Sequence, residues 1–130
     1  MMNIRALLAI AAVLMAPITM AEELAGFWKH AEEPGWIEIT IDEEVGKGVV
    51  VRNEIYPERV GREILRDLRA DDKQEGLWRG QVYAEKLGEY RDAEISLPGS
   101  GQMEIKVKVG FMSRTVEWVR VDSVPANDED

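Results

Sequence analysis

Met103-Glu104-Ile105-Lys106-Val107-Lys108-Val109 alternates apolar and charged residues without a break. A period of two sends successive side chains to opposite faces of a strand, so Met103, Ile105, Val107 and Val109 share one face and the charges take the other. Pro98-Gly99-Ser100-Gly101 precedes this stretch and reads as a tight turn. Before the turn, Ala93, Ile95 and Leu97 alternate with Asp92, Glu94 and Ser96. After it, Gly110 to Ser113 forms a second short connection, and Val116 and Trp118 share a face with Arg120 next in register. Strands joined by loops this short are antiparallel neighbours.

The same pattern continues toward the N-terminus. Trp36 to Ile41 sets Ile37, Ile39 and Ile41 on one face and Trp36 on the other, so an outward Trp36 is expected. It would be half-covered by a cross-strand neighbour or, as the second choice, mark a contact surface. Lys47 to Asn53 contains the β-branched run Val49-Val50-Val51, and Trp78, Gly80 and Val82 share a face. Gly26 to His30 reads as a short first strand. Asp42 to Gly46 and Lys86 to Glu89 read as hairpin turns. Residues 60–68 are ambiguous: Val60, Ile64, Leu65 and Leu68 have helical spacing, while the neighbouring strands favour a strand followed by a polar loop over 69–75. We take the strand. About eight strands in roughly 100 residues, each with one apolar face, must curl or split, and closure removes the open edges. The expected fold is all-β, an eight-stranded antiparallel up-and-down barrel, with a sandwich as the second choice.

The first residues read differently. Arg5 is followed by the apolar run Ala6 to Ile18, too short for the ~20 residues a membrane-spanning helix requires. Thr19-Met20-Ala21 then offers small residues at the positions a signal peptidase reads, with Glu22 and Glu23 beyond. Residues 1–21 are therefore expected to be a signal peptide, 22–121 the barrel domain and 122–130 a disordered acidic tail. The mature form is expected to be periplasmic or secreted, without a membrane span.

The chain carries a net charge of −9, which becomes −10 once Arg5 is removed. Such a surface disfavours nucleic-acid binding and docking on anionic membranes. The chain has no cysteine. Stability must then come from the core and the sheet, and thiol catalysis and thiolate metal sites are excluded.

Three motifs carry a resemblance. Gly26-Phe27-Trp28 resembles the G-x-W opening of lipocalin-like (calycin) barrels. Together with Trp78-Arg79-Gly80-Gln81-Val82-Tyr83, Arg114-Thr115 and Trp118-Val119-Arg120, it makes the stretch from Ala25 to Val121 similar to the DUF2147 family of small exported bacterial proteins. Gln81 and Ala84-Glu85 depart from the family pattern. The resemblance implies a lipocalin-like barrel and an extracytoplasmic location but no activity. It implies structural roles for Gly26, Trp28, Trp78, Gly80, Trp118 and Arg120. In particular, Arg120 from the last strand would cross the Trp28 ring at the closed end; the alternative is a solvent-facing Arg120.

Little in the sequence points to catalysis. His30 is the only histidine, so no histidine-based zinc site can be completed, and no serine sits in a nucleophile elbow. Asp42-Glu43-Glu44 and Asp71-Asp72 lack calcium-loop spacing. No cofactor or metal is expected. The expected function is binding of a small apolar ligand, entering at the end opposite Trp28. The competing reading is a structural or protein-interaction module of the cell envelope, with its barrel filled by its own side chains.

Overall fold

A computed structural model describes residues 19–126. The expected leader lies almost wholly outside the described residues, as do residues 127–130. A five-residue helix α1 (Met20–Leu24) is followed by β1 (Gly26–His30), β2 (Gly35–Asp42), β3 (Val45–Asn53), β4 (Glu63–Ala70), β5 (Leu77–Ala84), β6 (Glu89–Gly99), β7 (Gln102–Val109) and β8 (Met112–Val121). All neighbours are antiparallel, and β8 pairs back onto β1, closing the barrel. Phe27, Trp28, Lys29 and His30 oppose Val121, Arg120, Val119 and Trp118 across this seam. Closure leaves no unpaired edge.

The alternating residues point as the period dictates. Trp28, Ile37, Ile39, Ile95, Met103 and Ile105 are buried on the inner face. Trp36 lies opposite Lys29 on one side and Arg52 on the other, on the face away from Ile37. It is nevertheless buried, with Lys29 Nζ 5.5 Å and Arg52 Cζ 5.7 Å from its ring. The aliphatic stems of two cationic neighbours cover an outward indole that alternation alone would leave in water. Arg52 also donates to the Pro125 carbonyl at 3.3 Å, so the start of the acidic tail follows the barrel wall.

Residues 63–70 form a strand whose register against β3 slips twice, once between Glu63 and Leu65 and once between Leu65 and Leu68. Between Arg66 and Arg69 the register with β5 also slips by one. Asp67 takes φ +54° at this bulge. The slip turns both Leu65 and Leu68 inward, three residues apart, and both are fully buried. This is why β4 shows helical spacing. A short 3-10 turn, Pro57–Arg59, precedes the strand.

The β2–β3 hairpin turns on Glu43 (φ +50°) and Glu44 (φ +70°). Both central residues of such a turn need positive φ, where Asn-Gly is strongly preferred and two adjacent carboxylates are not. Glu43→Asn with Glu44→Gly is expected to raise stability by about 1 kcal/mol, read as a higher urea midpoint with an unchanged slope. The β4–β5 loop is fastened differently. Asp71 accepts the Gln74 and Lys73 backbone N–H groups at 2.8 and 3.1 Å, and Arg79 Nε at 3.2 Å. The Gln74 N–H first, and then Arg79, hold its carboxyl below the usual aspartate range.

Candidate functional site: an apolar cavity at the open end

The two ends of the barrel differ. At one end α1 lies across the opening, with Leu24 fully buried beneath it and Met20 and Ala21 packed on the core. Trp28 Nε1 donates to the Leu24 carbonyl at 2.9 Å. Arg120 Cζ stands 4.5 Å from the Trp28 ring centroid. Its guanidinium donates to the Ala25 carbonyl at 2.9 Å and to the Glu23 carbonyl. One cation thus covers an indole face and satisfies carbonyls that α1 leaves unpaired. Gly26 has φ +128°, and a Cβ there would lie 2.6 Å from Arg120 Nη1. The positive φ favours glycine here, and any side chain would also have to displace the guanidinium from its place.

The middle of the barrel is filled. Trp78, Leu65, Leu68, Met103 and Ile39 meet there. The glycines at 46, 48 and 80 admit the two leucines of β4: a Cβ at Gly48 would lie 2.9 Å from Leu65 Cδ1, and one at Gly80 would lie 2.6 Å from Leu68 Cδ2.

Toward the other end the inward residues become short and β-branched. Val50, Ile64, Val82, Val107 and Val116 leave space above Ile37, Ile105 and Trp118. The result is a cavity of about 210 Å³ opening among the β1–β2, β3–β4 and β5–β6 loops. It is smaller than the ~300 Å³ at which drug-sized ligand sites begin. It exceeds the ~150 Å³ of an apolar cavity that binds benzene or xenon. Its walls are aliphatic apart from Trp36, Tyr83 and Trp118, and polar groups gather at the mouth: His30, Asn53, Arg59 and Glu85.

These mouth groups are held by their neighbours. His30 Nδ1 accepts the backbone N–H groups of Glu32 and Glu33, both at 3.0 Å, which leaves the ring proton on Nε2. The ring meets Trp118 edge-to-face at 5.0 Å. Asn53 Oδ1 accepts from Ile55 N and Tyr56 N at 3.0 and 2.7 Å. Glu85 pairs with Arg62 at 2.5 Å and Arg59 at 3.7 Å. Such fixed side chains are suited to shaping an entrance. Among the described residues, no group of three or more His, Cys, Asp or Glu side chains is placed to hold a metal.

Of the residues singled out in the sequence, Trp118 lines the cavity and Trp78 lies in the filled middle with Gly80. Gly26, Trp28 and Arg120 form the closed end. His30 is half-buried at the mouth. Sequence reading missed Asn53, Ile64, Val82 and Glu85 as cavity residues. The only signal for them was position: each lies beside a loop on the end opposite Trp28.

Comparison with models of protein families finds no match, and no curated protein matches the chain. The DUF2147 resemblance therefore rests on its three motifs alone. Among solved structures, the chain is similar to protein HP1028 from Helicobacter pylori, described as belonging to the lipocalin family. The TM-score is 0.60 at 17% identity, over 77% of this chain and 84% of that one. At that identity the likeness concerns the fold: the chain is a closed eight-stranded barrel of the lipocalin type.

Proposed function

We propose that the protein is an exported carrier of a small, compact apolar molecule, of the size of one ring or a short branched chain, held in the open-end cavity. The observation that carries this reading is the 210 Å³ space walled by Ile37, Val50, Ile64, Val82, Ile105, Val107 and Val116. A barrel that only needed stability would fill this space, because unfilled apolar volume costs about 24 cal/mol per Å³. Export rests on the leader read from residues 1–21. A cut after Ala21 would remove the Thr19 cap and the first residues of α1. The Leu24 carbonyl that holds Trp28 and the Glu23 and Ala25 carbonyls that hold Arg120 would remain.

Native mass spectrometry on protein taken from the envelope fraction tests both parts. The polypeptide is expected to begin at Glu22 and to retain a small non-covalent mass. Val107→Trp, which fills the cavity, is expected to lose that mass while the chain stays folded. A wild-type chain with no retained mass, and no binding of added benzene or indole, would remove the carrier reading. An N-terminus at Met1 would remove export by this leader.

A further inference from the structure

Eight large apolar side chains are exposed among the described residues, and seven of them sit at the open end. Ile55 and Val60 project from the β3–β4 loop and Leu87 from the β5–β6 loop. The β7–β8 hairpin carries the most pronounced group, with Val109 41%, Met112 64% and Phe111 100% exposed at its tip. An apolar rim confined to one end of a monomer marks a contact surface.

The charge around this tip is opposite to that of the chain as a whole. Residues 105–116 contain Lys106, Lys108 and Arg114 and no acid, in a chain of net charge −9. Lys108 and Arg114 form no ion pair among the described residues. On the outer wall Lys106 and Lys108 line a groove with Asp92, Glu94 and Arg79, and Arg79 holds Glu94 at 2.5 Å. The groove therefore keeps one positive charge in excess. Lys108 and Arg114 each stand three residues from Phe111, about 10 Å back along the strands. An apolar tip with cations one headgroup layer behind it is the pattern of an interfacial anchor.

We propose that the β7–β8 hairpin docks the barrel, open end first, on an anionic lipid bilayer: Phe111 and Met112 enter the interface while Lys108 and Arg114 meet lipid phosphates. The other open-end loops carry exposed acids, Glu32 and Glu33 in β1–β2 and Glu54 and Glu58 in β3–β4, which oppose such docking, so the lipid contact is confined to the β7–β8 tip. The cavity mouth lies on the same end as the tip, so an apolar guest would pass between bilayer and barrel with little exposure to water. The docking itself requires no occupied cavity.

The absence of cysteine allows a local test. Ser113→Cys beside the tip and, separately, Ser100→Cys in a turn at the closed end are labelled with an environment-sensitive fluorophore. Vesicles of mixed phosphatidylcholine and phosphatidylglycerol are expected to blue-shift and brighten the label at 113 and leave that at 100 unchanged. In the Ser113→Cys background, Phe111→Ser is expected to weaken partitioning about 10- to 100-fold. Lys108→Gln with Arg114→Gln is expected to weaken it about 30-fold. An unchanged label at 113 would overturn the proposal, as would equal shifts at both positions. So would the same shift with phosphatidylcholine alone, or a concentration-dependent shift without vesicles, which would mean that a second copy covers the tip.

Discussion

Gly80→Val is expected to remove about 4 kcal/mol of stability, among the largest losses a single substitution can cause. A Cβ at this position would stand 2.6 Å from Leu68 Cδ2, 2.7 Å from the Arg66 carbonyl oxygen and 2.9 Å from that of Asp67. Two of those three atoms belong to the backbone of the β4 bulge and cannot rotate away. The bulge would have to unwind, and unwinding it turns Leu65 or Leu68 out of the core. Gly35→Ala is the matched control: its Cβ would meet only Asn53 Nδ2, at 3.4 Å. Urea unfolding should place Gly35→Ala within about 1 kcal/mol of wild type. Similar midpoints for Gly80→Val and wild type would show that the bulge is not built as described.

Trp28→Ala is expected to cost about 3–5 kcal/mol. The side chain is 1% exposed, is tied to Leu24 through its indole N–H and lies under Arg120. Its removal empties the closed end and leaves α1 with nothing to lie on. Trp28→Phe separates the two contributions, because it keeps most of the volume and loses the hydrogen bond, at about 1 kcal/mol. A double-mutant cycle of Trp28→Phe and Trp28→Ala against Arg120→Met isolates the cation–ring contact. The coupling to the ring is expected to be about 0.5–2 kcal/mol. Strict additivity would mean that Arg120 acts only through the Glu23 and Ala25 carbonyls.

How far the sequence foretold this architecture differs from strand to strand. The β7 pattern at Met103 to Val109 was fully legible, because a strand covered on one face shows its period directly. β4 was not, because register slips at Asp67 and again between Glu63 and Leu65 break the period of two and leave Ile64, Leu65 and Leu68 at an apparent helical spacing. The compensating signal lay elsewhere, in the glycines at 46, 48 and 80 on the strands to either side, and single-segment reading does not join them. Trp36 was placed on the correct face, but its burial depends on Lys29 and Arg52, which the register alone brings together. The cavity was legible only as a position. Its existence depends on how far Val82, Val107 and Val116 reach toward the barrel axis, and that follows from barrel radius rather than from any local motif. Likewise the sequence around His30 does not show that the β1–β2 loop folds the Glu32 and Glu33 N–H groups onto its Nδ1.

The claim on which the functional account depends is that this barrel, packed solid at its Trp28 end, is hollow at the other. Xenon is the most direct probe, since it enters dry apolar space without needing a polar partner. Crystals pressurised with xenon should show one site bounded by Val107, Val116 and Trp118, and Val107→Trp should abolish it. Crystals that take up no xenon there, with the β7–β8 side chains folded into the space, would contradict the account.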